Sequence, residues 1–437
     1  MDGTELNRLL LRARGLAVLR GVLASSAAQD FLTLLGLLAA GSRPDPATVA
    51  ETFGRLWKEL AAEPRDLLLP DAWQSHLVGR LLDDENPFSL GAEKGELTPT
   101  LTEQTRSDFR TLRALFEIEP ELLLGLVETA VPELEGVWRP WRDPDARADA
   151  ARCRQPRRRA LACKLADEED WGELVETLAE HYATHGAGPF GRYRAFRWES
   201  GRLRAVPRPD PVRLTGLIGY DKEREPLLKN TERLLAGLPS HHVLLYGLPG
   251  TGKSSTVKAI LNEHANRGLR LVELAKEDLK ELPLVLEVLR GRGLRFILFV
   301  DDLSFEEDEV EYKSLKALLE GSVEEPPENV RVYATSNRRN VVRERFSDRD
   351  DDVHARDTMQ EKLSLSARFG LRITFPAPDQ KRYLEIVFGL VEGRGLKIPG
   401  EELKERALLW DRWHAGRSGR TARQFVDELE AKLANDY

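Results

Sequence analysis

The chain has 437 residues, with 65 Lys plus Arg against 73 Asp plus Glu and a formal net charge of −8. That length exceeds one simple core and predicts two or three domains. The acidic balance argues against a generally basic nucleic-acid coat protein and leaves only local basic patches open. The two cysteines, Cys153 and Cys163, lack CxxC spacing and a nearby His pair, which argues against a disulfide framework or zinc site and fits a reducing compartment.

The chain opens Met1-Asp2-Gly3 without a basic n-region, so no secretory signal is expected. The apolar run Phe31–Leu38 is too short to span a bilayer and reads as a core helix. The expectation is a soluble, cytoplasmic protein with no membrane role.

Residues 1–205 read as a mainly helical N-terminal region. Asp45-Pro46 supplies an N-cap and a first-turn proline, and Val49, Phe53, Leu56, Trp57 and Leu60 then recur on one helical face. Phe109, Leu112, Leu115 and Phe116 repeat that spacing, as do Trp171, Leu174, Val175, Leu178 and Tyr182. Such stripes point to core, and none names a chemistry.

Two basic stretches interrupt this region. Arg152–Arg159 is flanked by acids at 143–149 and 167–170, and Tyr193–Arg204 reads as a hairpin with a Glu-Ser-Gly turn and arginines beside aromatics. Basic residues interleaved with aromatics can hold single-stranded nucleic acid, and they can equally form a solvated face. Both readings stay open. Val206–Pro211 is Pro-rich and reads as a linker.

From Leu214 the pattern becomes strands alternating with helices, the mark of an α/β domain with a parallel sheet. Five strands are predicted: His242–Tyr246, Leu269–Leu274, Arg295–Val300, Val330–Thr335 and Leu371–Phe375. They place the α/β core at 206–378. The helical remainder, 379–437, reads as a small lid.

The most specific signal is Gly247-Leu248-Pro249-Gly250-Thr251-Gly252-Lys253-Ser254, which fits Gly-x-x-x-x-Gly-Lys-Ser/Thr at every fixed position. A strand precedes it, and Ser255–Leu261 can wind as a helix after it. Glycines let the backbone wrap phosphate oxygens, and the N–H groups of the following helix start favour anions. In this pattern Lys253 reaches the β/γ-phosphates of a nucleotide and Ser254 holds Mg²⁺.

Arg295–Val300 is an apolar strand delivering Asp301 and Asp302. At the C-terminal end of a core strand these acids fall beside the phosphate loop. Asp301 then suits Mg²⁺, and Asp302 suits orienting or deprotonating an attacking water. The acids Glu306–Glu309 and Glu311 favour the start of a helix through Leu315, Leu318 and Leu319. Ala334-Thr335-Ser336-Asn337 ends the next strand with an amide able to bond a γ-phosphate and the attacking water.

This ordered set, with Ser366-Ala367-Arg368-Phe369-Gly370 and Ser418–Arg423, resembles the AAA+ P-loop ATPases from about Leu214 onward. The strings Leu217–Asp221, Asp301–Glu306 and Glu361–Ser366 resemble one bacterial branch of that superfamily, domain of unknown function 815. The resemblance implies an AAA+ core with a parallel five-stranded sheet, preceded by helices and followed by a helical lid. It implies ATP and Mg²⁺ as ligands. Asn337 matches sensor 1 and Arg368 the arginine finger, which reaches a neighbouring subunit's nucleotide and so implies a homo-oligomer, a ring or at least a dimer. Arg423 matches sensor 2, with Arg420 as its competitor. Ile218, Gly219 and Tyr220 match the segment that packs on adenine, and the nucleotide set runs from Gly247 through Ser254 to Ser255.

One departure matters. Most AAA+ enzymes end the acidic strand Asp-Glu, and this chain has Asp301-Asp302. The shorter Asp302 implies slow hydrolysis, help from Glu306, or a wait for a partner. The leading expectation is an ATPase that remodels or loads an unidentified protein. The other is a slow nucleotide-dependent switch or loader associated with nucleic acid. Nothing after the nucleotide motifs resembles the second-substrate pocket of a kinase or other transferase.

Overall fold

The computed structural model describes residues 2–40, 43–62, 67–142, 156–305, 312–320, 327–337, 365–414 and 416–435. The chain divides into two compact units, Met1–Arg192 and Tyr193–Tyr437.

The described part of the first unit is built from helices: α1 (Gly3–Arg14), α2 (Ser26–Ala39), α3 (Pro46–Ala62), α4 (Ala72–Asp83), α5 (Pro87–Lys94), α6 (Pro99–Phe116), α7 (Pro120–Ala130), α8 (Pro156–Asp167), α9 (Val175–His185) and α10 (Gly188–Arg192). Their starts are written in capping residues. Ser25, Asp71 and Thr98 accept the N–H groups of Ala28, Gln74 and Leu101, contacts whose loss costs about 1 kcal/mol each. The stripes read from sequence are the core. Val49, Phe53, Leu56 and Leu60 on α3, and Phe109, Leu112, Leu115 and Phe116 on α6, are all buried. Each such side chain contributes about 1.5–3 kcal/mol. The run Phe31–Leu38 lies within α2, and Phe31 stacks on Trp73. Among the described residues no helix is long and apolar enough to cross a membrane.

One buried charge organises the chain after α1. Asp108 on α6 accepts N–H bonds from Ala17 (3.1 Å), Val18 (2.7 Å) and Leu19 (3.0 Å). Three amide donors replace the water that a buried carboxylate loses.

The second unit holds a seven-stranded sheet in the order β2-β1-β4-β5-β6-β3-β7. Its strands are β1 (Ala195–Glu199), β2 (Arg202–Ala205), β3 (Val243–Gly247), β4 (Leu269–Glu273), β5 (Arg295–Val300), β6 (Val330–Ser336) and β7 (Leu371–Phe375). Every pairing is parallel except β1 with β2. The helices are α11 (Asp221–Leu235), α12 (Lys253–His264), α13 (Leu282–Leu289), α14 (Tyr312–Glu320), α15 (Gln380–Gly393), α16 (Gly400–Trp413) and α17 (Gly419–Asn435). The five predicted strands are all present, contiguous and parallel.

The sheet is nevertheless wider than the five strands expected. The hairpin Ala195–Ala205 adds two strands, with β1 in parallel register on β4 (Ala195↔Leu271, Phe196↔Val272). Burial explains the difference. Phe196 and Trp198 are 1% and 2% exposed, and the Trp198 indole donates to Glu281 at 2.6 Å. The Pro-rich stretch beyond is likewise anchored, since Asn262 on α12 donates to the carbonyls of Asp210 (2.8 Å) and Val212 (2.7 Å). The hairpin arginines have local partners: Arg197 pairs with Glu273 and Glu199, and Arg204 with Glu199. In the other basic stretch, Arg158 is buried against Asp83 at 2.6 Å, and residues 152–155 lie outside the described residues.

Candidate functional site

The sheet order sets β5, β6 and β3 side by side, and parallel direction brings all three C-terminal ends to one edge. That edge is where open α/β sheets hold ligands. Strand β5 leads directly into Asp301 and Asp302 and β6 into Asn337, while β3 ends at Gly247, from which the loop runs into α12 at Lys253. They form one wall of an open cleft of about 520 Å³.

The loop conformation requires its glycine at the strand end. Gly247 has φ +145°, and a Cβ there would sit 2.0 Å from the carbonyl oxygen of Phe375 on β7. Any side chain would push the loop off the neighbouring strand. Lys253 folds back over this loop, with Nζ donating to the carbonyls of Gly247 (2.7 Å) and Leu248 (2.9 Å) and to Asn337 Oδ1 (3.2 Å). Burial lowers its pKa from the ordinary lysine value, against the pull of Asp302 and Asp301.

The acids are joined through a residue to which the sequence pattern assigns no role. Thr335, 2% exposed, donates its hydroxyl to Asp301 Oδ1 at 2.5 Å and accepts the backbone N–H of Asp302 at 2.8 Å. Ser254 Oγ donates to the same Asp301 oxygen at 2.6 Å. Asp302 adopts φ +51°, a left-handed conformation uncommon for a non-glycine residue. Its Oδ1 accepts from Asn337 Nδ2 at 2.6 Å. One continuous polar chain therefore runs Ser254–Asp301–Thr335–Asp302–Asn337–Lys253. A polar side chain inside an apolar strand was the signal for Thr335.

Pro249 through Ser255, Lys258, Tyr220, Arg224, Arg420 and Arg423 also line the cleft, and Leu217, Ile218, Ile386 and Leu390 give it an apolar end. Ile386 and Leu390 were not foreseen; their i, i+4 spacing after the Pro376-Ala377-Pro378 break was the available signal. Tyr220 is 4% exposed. Its ring stacks on Phe375 at 5.4 Å, the Arg382 guanidinium lies 4.4 Å from its centroid, and its hydroxyl donates to the Pro376 carbonyl at 2.7 Å. Tyr220 thus touches the last residue of β7, the following break and the first turn of α15. Gly219 is buried next to it in sequence and is not among the residues that line the cleft. Arg368 lies half-buried ahead of β7 and does not line the cleft. Glu306 and residues 361–364 of the string Glu361–Ser366 lie outside the described residues.

The family model described as a protein of unknown function, DUF815, matches residues 191–433. The chain belongs to the DUF815 family. It is related to the AAA+ P-loop ATPases, as its loop, acidic strand and sheet order indicate. This DUF815 chain is 26% identical to the 26S proteasome regulatory subunit 6B homolog of Schizosaccharomyces pombe, over 46% of this chain and 54% of that one. It therefore spans about half the length of this curated relative. Among solved structures it is similar to the Thermotoga maritima RuvB Holliday junction branch migration motor, at 18% identity and TM-score 0.36 over 51% of this chain and 66% of that one. A point mutant of that RuvB gives 17% and 0.37 over the same shares.

Proposed function

We propose that the cleft binds ATP with Mg²⁺ and hydrolyses it. The observation that carries this reading is the polar chain from Ser254 to Lys253, which draws the loop, both acids and Asn337 into hydrogen-bond contact at one sheet edge. In this reading the loop amides of Gly250, Thr251, Gly252, Lys253, Ser254 and Ser255 and the Lys253 ammonium hold the phosphates. Leu217, Ile218, Ile386 and Leu390 take the base.

The donor set fits Mg²⁺. A hydroxyl and a carboxylate converge at Ser254 and Asp301, hard oxygens of the kind that ion takes alongside phosphate oxygens and water. When bound, the ion would neutralise charge on the phosphate chain. Asp302, anchored by Asn337, orients the attacking water and accepts its proton. Asn337 bonds the γ-phosphate through the amide that now bridges Lys253 and Asp302. Arg423 on α17 contacts the phosphates from the lid side of the cleft.

The same reading takes 206–378 as the catalytic core and 379–437 as its lid. Arg368, outside this cleft, acts on the nucleotide of a neighbouring subunit, so the working form is a homo-oligomer. Its hydrolysis remodels or loads a protein partner. The test mixes Arg368→Ala subunits with Lys253→Ala subunits. ATPase activity regained in the mixture, when each variant alone is inactive, supports a shared site. Full activity of Arg368→Ala alone removes the finger assignment, and no ATP binding by the wild type removes the whole reading.

A further inference from the structure

The chain ahead of α11 makes a tight reversal that sets a guanidinium beside the apolar end of the cleft. Gly219 and Tyr220 both have left-handed backbones, with φ +71° and +61°, a conformation uncommon outside glycine. The Arg224 N–H in the first turn of α11 donates to the Tyr220 carbonyl at 2.9 Å. Its side chain reaches back across the reversal. There Nη2 donates to the Leu217 carbonyl at 2.7 Å and to Asp221 Oδ1 at 2.7 Å.

Those two bonds hold the guanidinium without using it up. The Arg224 side chain is 6% exposed, yet the residue lines the cleft. Among the described residues, Nε and Nη1 have no protein acceptor, and neither is sealed from solvent. The small open part of this side chain therefore carries unused donors. Its ion-pair partner Asp221 is 83% exposed, so solvent screens that pair and leaves the inner donors free for another acceptor.

The apolar end alone says little about which base it takes. Leu217, Ile218, Ile386 and Leu390 can cover the faces of a flat ring, and every base has such a face. Discrimination needs hydrogen bonds to the edge of the ring. Of the lining residues contributed by the reversal and α11, only Tyr220 and Arg224 have polar side chains. The Tyr220 hydroxyl is already spent on the Pro376 carbonyl. Arg224 remains. A guanidinium has donors only and stays charged, so its complement is an acceptor. The ring nitrogens of adenine are such acceptors.

We propose that Arg224 reads the base, donating from Nε or Nη1 to a ring nitrogen of adenine and holding it against the Leu217 segment. This rests on the nucleotide reading given above and adds to it the residue that sets base preference.

The test is competition against ribose-labelled fluorescent ATP on the full chain, with ATP, its 1-deaza, 3-deaza and 7-deaza analogues, and inorganic tripolyphosphate. Wild type is compared with Arg224→Met, which keeps the length without donors, and with Arg224→Lys. Loss of one charge-assisted bond predicts that one analogue binds wild type about tenfold more weakly than ATP. In Arg224→Met that gap should close to within twofold, with tripolyphosphate binding unchanged, and Arg224→Lys should keep part of it. A purely structural role for the Leu217 bond would instead weaken ATP and all three analogues equally, which overturns the proposal. Wild type that binds every analogue as tightly as ATP also overturns it, needs no variant to fold, and leaves the nucleotide reading standing. Wild type that binds no ATP overturns both.

Discussion

Replacing Thr335 with valine keeps shape and volume while removing one hydroxyl, so it isolates the link between the two acids. Thr335 is 2% exposed, and its hydroxyl makes two contacts, to Asp301 Oδ1 at 2.5 Å and from the Asp302 N–H at 2.8 Å. The first is a hydrogen bond to a charged group, of about 1.5–3 kcal/mol, and the second leaves an amide short of a partner at about 1–3 kcal/mol. The extra buried methyl returns about 1 kcal/mol. Thr335→Val should therefore destabilise the second unit by about 2–4 kcal/mol, or lower its midpoint by about 4–16 °C for a unit of this size. Thr335→Ser keeps the hydroxyl and loses one buried methyl, about 1 kcal/mol. Thermal unfolding of the three proteins, with amide exchange at Asp302, measures both effects. Equal midpoints for the valine and serine variants, or unchanged protection of the Asp302 amide in Thr335→Val, would refute this account of the link.

Gly247→Ala should cost at least about 3 kcal/mol, because its Cβ would meet the Phe375 carbonyl at 2.0 Å in a backbone conformation that favours glycine; a midpoint unchanged from wild type would contradict this. His242 accepts the Val332 N–H at 3.0 Å, and burial, with Arg331 and His241 nearby, pushes its pKa down to about 4. The unfolded chain then binds a proton below about 6.5 that the folded chain refuses until about 4, so stability falls as pH drops through that window, by about 2 kcal/mol between pH 7 and pH 5. Urea midpoints should show that much less acid sensitivity in His242→Asn, whose amide oxygen replaces Nδ1, and equal slopes would exclude His242 as the cause. Purified wild type should hydrolyse ATP well below about 10 per second, a middling enzyme rate, because Asp302 is one methylene shorter than the usual glutamate; a steady-state assay at or above that rate would remove the argument from side-chain length.

Much of the second unit was legible because its signals are local. A strand that must be buried on both faces is a short apolar run, and the five predicted runs became β3 to β7 within a residue or two. The loop at Gly247–Ser254 was legible because glycine, lysine and serine are each required there for a separate physical reason. The hairpin was legible as a hairpin, but its membership of the sheet was not. Nothing local in Phe196 and Trp198 says that β4 is their cover, and the prolines after Ala205 read as a boundary although Asn262 ties them down. Thr335 was missed for a related reason: its role lies in two bonds to a different strand. The helical stripes of the first unit marked core correctly, while Asp108 and the three amides it binds lie about ninety residues apart in sequence, beyond any periodicity.

Among the described residues, the helical stretch after Pro378 touches the sheet-bearing part beside the cleft at two places of note. At one, Gly250 carries the start of α17. At the other, Tyr220 is held between Phe375 and Arg382 with its hydroxyl on Pro376, and Arg382 is fixed in turn by Glu223 at 2.9 Å. Leu217 and Ile218, just ahead of Gly219 and Tyr220, form part of the apolar end, while Gly250 belongs to the phosphate loop. A ligand with an apolar ring at one end and anionic groups at the other would press on both contacts at once. A ligand with only one of those parts would press on one. Packed contacts of this kind have few alternative arrangements, so the lid's position should depend on the whole ligand rather than on either end alone.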